Sequence, residues 1–191
     1  ILQLAIIATV MADAKTYDGT TSATGAVTLN GVLAGDQLTA SAILAFADAN
    51  AGNGKSVTIS GASVSGADAG NYSVTLPAST LADIFRAALT ITANPQVKDQ
   101  GAADPALTYA ITSGELFGSD TLSGFLERTP GEAPADYAIL QGTLAASSNY
   151  DVTFVPGVLT IEPKITLNDN LRSLLGWQSE SGEDDGSLLI V

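Results

Sequence analysis

Cysteine and histidine are both missing from this chain, and the two gaps close off much of the chemistry that proteins use. Without thiols there is no disulfide, no thiolate zinc site and no cysteine nucleophile. Without imidazole there is no His-containing catalytic triad and no histidine metal ligand. Basic residues are scarce as well, 7 against 20 carboxylates, which leaves a formal charge of −13. Such a surface repels phosphate backbones and anionic headgroups, so nucleic acid is not an expected partner. Aromatic residues make up 6% of the chain, with one Trp and one Met.

A membrane-length apolar run is missing too. The opening stretch, Ile1 to Ala12, is apolar but falls well short of the roughly 20 residues that a spanning helix needs, and it carries no basic flank of the signal-peptide kind. Its β-branched content instead suits a buried strand, and no membrane insertion is expected. Ile at position 1 in place of an initiator Met fits a processed protein or a piece of a longer one. Scarce Lys and plentiful small polar residues suit an exported surface protein.

What is present is β-rich. The 46% of hydrophobic residues are mostly Ala, Val, Leu and Ile, interrupted by 19 Gly and many Ser and Thr. That mix favours short strands and turns over helical bundles, and 191 residues suffice for one large or two small cores. Taken in order, strands are predicted at Leu4–Val10, Ala26–Leu29, Val57–Ile59, Tyr72–Leu76, Ala88–Ala93, Leu107–Ile111, Leu122–Leu126, Tyr137–Leu140, Asn149–Phe154 and Val158–Ile161. Leu38–Phe46 reads as strand or helix. Turns fall at Tyr17-Asp18-Gly19, Asn30-Gly31, Asp48 to Gly54, Gly66 to Gly70, Lys98 to Gly101 and Thr129-Pro130-Gly131. Asp18 and the neighbouring Thr hydroxyls are expected to bond local backbone amides, with Tyr17 packed beneath.

The pattern starts over once. Asn71-Tyr72-Ser73-Val74-Thr75-Leu76 matches Asn149-Tyr150-Asp151-Val152-Thr153-Phe154, and Leu89-Thr90-Ile91 is repeated as Leu159-Thr160-Ile161. Lys15 and Lys98 each precede a Gly-containing turn just after an apolar strand. The period of about 80 residues is a domain-sized unit. The expected architecture is therefore all-β, two tandem small β-sandwich-like domains over 1–87 and 88–163, with a tail at 164–191. Residues 1–12 open the first domain, and the boundary lies near Arg86 to Leu89. In the tail, Asp169 to Trp177 reads as a short helix, Glu180 to Asp185 as an acidic linker and Ser187 to Val191 as a terminal strand.

Several stretches imitate known sites and fall short. Gly54-Lys55-Ser56 ends like a phosphate-binding loop, but Ala49 stands where Gly is required and a β-prone stretch follows. Asp48, Asn50 and Gly52 start like a calcium loop, but Ile59 stands where the bidentate carboxylate belongs. Asn71-Tyr72-Ser73 is a formal glycosylation sequon whose repeat partner ends in Asp151, which favours a turn role for Asn71. A Lys-to-Asn crosslink would show as a mass loss of about 17 Da. No carboxylate pair is flanked by an aromatic cluster of the glycosidase kind. No catalytic residue, metal or cofactor is expected.

From Lys15-Thr16-Tyr17-Asp18-Gly19-Thr20-Thr21 onward, the first unit resembles the YDG domain of large secreted bacterial adhesins of the filamentous-haemagglutinin type. The likeness runs through Leu29-Asn30-Gly31, Gly35-Asp36, Phe46 to Gly52, Val57 to Gly61 and Asp68 to Tyr72. The second unit resembles the MBG, "mostly β, glycine-rich", module. It does so at Asp104 to Tyr109, Leu122-Ser123-Gly124, Arg128, Pro130-Gly131-Glu132, Tyr137-Ala138-Ile139, Gly142-Thr143-Leu144, Asn149-Tyr150 and Leu159-Thr160-Ile161, with Gln100 where the family usually shows an aromatic. The resemblance implies a surface-exposed structural module without activity of its own, located on the bacterial surface or secreted. Its expected partners are neighbouring modules, copies of itself, or host glycans or proteins.

A second functional reading comes from the apolar ends. Strands with free edges pair with other edges, so Leu4, Ile6, Ile7 and Val10 at one end, and Leu188, Leu189, Ile190 and Val191 at the other, are candidate assembly strands for an extracellular filament.

Overall fold

The computed structural model describes residues 2–164, and these form strands and turns with a single short 3-10 turn at Ala69–Asn71. The predicted tail helix, acidic linker and terminal strand lie outside the described residues. The first domain contains β1 (Leu4–Ala12), β2 (Lys15–Thr16), β3 (Ser22–Ala23), β4 (Gly25–Asn30), β5 (Thr39–Phe46), β6 (Gly52–Ser65), β7 (Tyr72–Thr75) and β8 (Ser79–Phe85). The second contains β9 (Ala87–Ala93), β10 (Gln96–Asp99), β11 (Tyr109–Ser113), β12 (Glu127–Arg128), β13 (Ala135–Leu140), β14 (Tyr150–Val155) and β15 (Gly157–Glu162). Only Arg86 separates β8 from β9.

Each domain is two sheets, and the strands follow the same order in both, except that the larger sheet of the first domain has one additional edge strand, β3. One is β4-β1-β7 in the first domain and β11-β9-β14 in the second; the other is β2-β8-β6-β5-β3 and β10-β15-β13-β12. In each, the opening strand is central in its sheet, antiparallel to one neighbour and parallel to the strand that starts at Tyr72 or Tyr150. Register identifies the equivalent residues. Leu4 faces Tyr72 as Ala87 faces Tyr150, and Lys15 faces Ile84 as Lys98 faces Ile161. The Lys15–Lys98 repeat seen in the sequence is therefore a structural one. The Leu89-Thr90-Ile91 match is not: these residues occupy β9, the counterpart of β1, whereas Leu159-Thr160-Ile161 occupy β15, the counterpart of β8.

Alternation fills the cores. Along β9 the pattern is buried at Ala87, Leu89, Ile91 and Ala93, and along β1 at Ile6, Ala8 and Val10. Each fully buried Leu or Ile stabilises the fold by about 1.5–3 kcal/mol. One buried cluster contains Val10, Tyr17, Phe46 and Ile84 from the first domain together with Leu89, Ile91, Leu144 and Tyr150 from the second. A smaller one, of Ala93, Ile139 and Leu159, belongs to the second domain.

Three differences from the sequence reading have physical causes. The strand β8 escapes notice because Leu81 and Phe85 point outward, 66% and 53% exposed, and blur the alternation whose inward members are Ala82 and Ile84. The segment Gly52-Asn53-Gly54, predicted as loop, lies inside β6 as a bulge: the register with β8 shifts between Gly52 and Lys55, and the Gly54 amide donates to Asp83 Oδ1 at 2.6 Å. Conversely, Leu122–Leu126 is not a strand. It makes one isolated bridge, Ser123 to Ala145, because Gly124 adopts φ +89° and a Cβ there would stand 2.1 Å from the Thr143 carbonyl oxygen. Leu38–Phe46, open between strand and helix in sequence, is the strand β5.

Candidate functional site

The Tyr17-Asp18-Gly19 turn is built as expected, but it serves the second domain. Asp18 Oδ1 accepts from the Thr20 amide at 2.8 Å and from Lys15 Nζ at 2.7 Å, and Lys15 Nζ also donates to the Thr20 carbonyl at 2.8 Å. The Tyr17 amide donates to the Phe85 carbonyl at 2.8 Å, which ties the turn to the end of β8. With the backbone so fixed, the Tyr17 ring is buried in the cluster that includes Val10, Phe46 and Ile84 of its own domain and also packs edge-on against Tyr150, at 5.5 Å between centroids, and Phe117, at 5.9 Å.

One carboxylate collects both phenols. Tyr17 donates to Asp120 Oδ2 at 2.8 Å and Tyr150 donates to the same oxygen at 2.7 Å, while the Phe117 amide donates to the Tyr150 hydroxyl at 2.8 Å. The Asp120 amide in turn donates to the Phe117 carbonyl at 3.0 Å, closing the Phe117–Asp120 turn that positions the acceptor. Donating to Asp120 and being buried both hold the Tyr17 phenol above its ordinary pKa. Burial, with the Asp120 carboxylate adding to it, pushes Tyr150 up to about 12.

Beside this cluster sits Asn149, 7% exposed. Its Oδ1 accepts from the Ala51 amide at 2.9 Å, its Nδ2 donates to Asn50 Oδ1 at 3.2 Å, and its carbonyl accepts from the Ala87 amide at 2.9 Å. The loop that imitates phosphate and calcium sites is thus part of the joint. Asp48 Oδ1 accepts from the Asn50 amide and from Lys55 Nζ, and Asn50 reaches Asn149. Among the described residues no group of three or more His, Cys, Asp or Glu side chains is placed to hold a metal.

A second charged constellation lies inside the second domain. Lys98 Nζ, on a residue only 7% exposed, donates to Asp104 Oδ1 at 2.6 Å, Glu132 Oε2 at 2.6 Å and the Ala102 carbonyl at 3.1 Å. Arg128 forks onto Asp104, contacts Glu132, and lies over the Tyr137 ring at 5.5 Å. The Arg128 and Lys98 cations hold the Asp104 carboxyl at about 2. Lys15, Lys55 and Lys98 direct their ammonium groups at carboxylates and main-chain or hydroxyl oxygens, not at an Asn side chain.

The candidate assembly strand at the start of the chain requires correction. Leu4, Ile6 and Ile7 pair with Tyr72, Val74 and Thr75 on one side, and Ile7 and Val10 pair with Asn30 and Val27 on the other. Ile6 and Val10 are each 5% exposed. β1 is a central strand, so the free edge that strand addition needs is not there. Leu188, Leu189, Ile190 and Val191 lie outside the described residues. The residues that the sequence reading missed are Asp120, Phe117 and Asn149. The signal for the first two was a repeat left unused: Leu33-Ala34-Gly35-Asp36 in one unit against Phe117-Gly118-Ser119-Asp120 in the other.

These features define a tandem of two all-β domains of one topology, joined through a single residue and sharing one core. Family models specify which domains they are: residues 2–81 match the YDG domain and residues 89–160 match the MBG domain of the YGX type. The chain contains a YDG domain followed by an MBG domain. No curated protein and no solved structure matches it. Among the described residues no helix is long and apolar enough to cross a membrane.

Proposed function

We propose that the chain is a non-catalytic structural module of a large bacterial surface adhesin, secreted and displayed outside the cell, which holds neighbouring parts of that protein at a fixed distance and angle. The observation that carries this reading is the joint. A flexible linker between domains would contain several exposed residues, whereas here β8 passes into β9 through Arg86 alone, and Tyr17, Phe117 and Tyr150 fill the space between the domains.

The order of the two domains supports the surface assignment, since YDG and MBG domains resemble the repeat modules of such adhesins. The titratable groups with displaced pKa values support a structural role as well. Tyr17, Tyr150, Lys98 and Asp104 are engaged with protein partners that satisfy their hydrogen bonds, so each has a structural reason for its shift.

Antibody raised against the purified chain tests the location: intact cells of the source bacterium should label without permeabilisation, and labelling only after lysis would contradict the proposal. Screening the chain against glycans and host proteins separates spacer from ligand-binding module. The spacer reading expects no saturable binding, and a saturable ligand would replace it with direct adhesion.

A further inference from the structure

The joint uses a surface of the second domain that also exists on the first, where Tyr72 is 5% exposed but Leu33 and Asn71 stand open. Tyr72 is the counterpart of Tyr150, and it is locked in the same way: its hydroxyl accepts from the Leu33 amide at 3.0 Å and donates to Asp36 Oδ2 at 2.6 Å. The Asp36 amide donates to the Leu33 carbonyl at 3.1 Å, as the Asp120 amide does to Phe117. Leu33, Asp36 and Tyr72 therefore reproduce the bonding of Phe117, Asp120 and Tyr150, and Asn71 precedes Tyr72 as Asn149 precedes Tyr150.

What differs is the cover. In the second domain Tyr17 lies on Phe117, and Asn149 is 7% exposed beneath the Asn50-Ala51 loop. In the first, Leu33 is 60% exposed, Asn71 is exposed, and Asp36 Oδ2 accepts one phenol where Asp120 Oδ2 accepts two. The strand that leads in also corresponds. Leu2 and Gln3 precede β1 at the positions that Phe85 and Arg86 hold before β9. An apolar side chain, an unshared carboxylate oxygen and an exposed carboxamide thus wait on one face in the arrangement that the second domain uses to receive the first.

We propose that this leading face, Leu33, Asp36, Asn71 and Tyr72, is a docking socket for the trailing end of another YDG-type domain, which would insert its Tyr17-position phenol beside Tyr72 and share Asp36. The occupant is specified by the filled copy. It must end in a strand like β8 that runs into β1 with one residue between, and it must present a hydroxyl-bearing aromatic in its Lys-Thr-Tyr turn. An MBG domain like the one in this chain does not qualify. There the Tyr17 position is Gln100, whose amide donates to the Glu162 carbonyl at 2.8 Å as Tyr17 does to Phe85, so the backbone is equivalent but the plug is gone. The inference extends the spacer reading by naming the partner on one side, and it can fail while the joint between the two existing domains stands.

The chain's lack of cysteine makes the test direct. Leu33→Cys, at an exposed site, provides a single thiol for timed maleimide labelling. A second protein places a wild-type copy of residues 4–86 ahead of Leu4 of the full chain, so that Arg86 of the added copy is followed by Leu4. Docking should slow labelling of Cys at position 33 about tenfold or more, the protection that a closed interface confers. Tyr17→Phe in the added copy should return part of that rate, and a six-residue Gly-Ser insertion after its Arg86 should return all of it. Labelling at the same rate with and without the added copy would overturn the proposal. So would an added copy that stays unfolded by circular dichroism, because the inference requires residues 4–86 to be a complete unit in front of this face. Neither result changes the Tyr17–Asp120 contact of the original chain, which is checked separately below.

Discussion

Replacing Tyr17 by Phe removes one hydroxyl and leaves the ring in place, which isolates the bond that ties the YDG domain to the MBG domain. The hydroxyl donates to a carboxylate, and bonds to charged groups contribute about 1.5–3 kcal/mol. Two features place this one at or just below the bottom of that range. Asp120 is partly exposed, and it retains the Tyr150 donor at 2.7 Å after the change. We therefore expect Y17F to cost about 1–1.5 kcal/mol. Y17A, which also removes the edge-on contacts with Phe117 and Tyr150, should cost about 3–5 kcal/mol, as deletion of a large buried side chain does. The assay is urea unfolding followed by far-UV circular dichroism, with Y17F, D120A and the double variant compared in a cycle. Because Tyr17 and Asp120 touch directly, the cycle should return a coupling of about 1 kcal/mol. A Y17F cost below about 0.3 kcal/mol, within the range of neutral surface changes, together with zero coupling, would refute the claim that this bond holds the joint.

Further outcomes follow from the same structure. Asp104 is held at about 2 by Arg128 and Lys98, below the ordinary carboxyl value near 3.9, so its contribution is full above about pH 4 and is lost as the pH falls through about 2. D104N should therefore flatten the acid limb of the stability curve between those values, and an unchanged limb would remove Asp104 from the account. Tyr150, pushed up to about 12, works in the opposite sense. The folded state keeps the proton that the unfolded chain releases near pH 10, so stability is full below that value and declines as the pH rises from about 10 to 12. Y150F should reduce that decline, and phenolate absorbance should show one fewer late-titrating Tyr than the parent, in which Tyr17 and Tyr72 are also held above the ordinary value. Leu89 is 1% exposed in the core shared by both domains, so L89A should cost about 2–5 kcal/mol. Ile7, on the outer face at 68% exposed, should cost far less as I7A. Equal losses would mean that the two faces of the opening strands are wrongly assigned.

Much of the fold could be read from alternation and turn chemistry, because residues such as Val57, Leu89 and Ile91 face inward at a period of two while Gly and Asp mark the reversals. What could not be read was governed by contacts far apart in sequence. β8 hid behind its outward Leu81 and Phe85, and the pairing of Leu4 with Tyr72 spans a distance that no local pattern encodes. For that reason an apolar stretch that looked like a free end is the centre of a sheet. The joint was half legible. Tyr17 is recognisable in sequence as part of a turn, but the acceptor that gives it a role, Asp120, lies 103 residues further on, in a turn tied to Tyr150 of β14 through the Phe117 amide and the Tyr150 hydroxyl. The repeat offered a route to it. Leu33 and Asp36 bear the same relation to Tyr72 that Phe117 and Asp120 bear to Tyr150, and matching tyrosines in equivalent strands call for matching acceptors.

Residual dipolar couplings of the backbone amides test most directly whether the two domains form one rigid body. Couplings from residues 4–85 and from residues 87–162, fitted separately in the same alignment medium, should give one and the same alignment tensor, in orientation and in magnitude. Y17A should reduce the agreement. Two tensors of different magnitude in the unmodified chain would mean that the domains move independently about Arg86, and the proposal that this protein functions by holding its neighbours at a fixed angle would be contradicted.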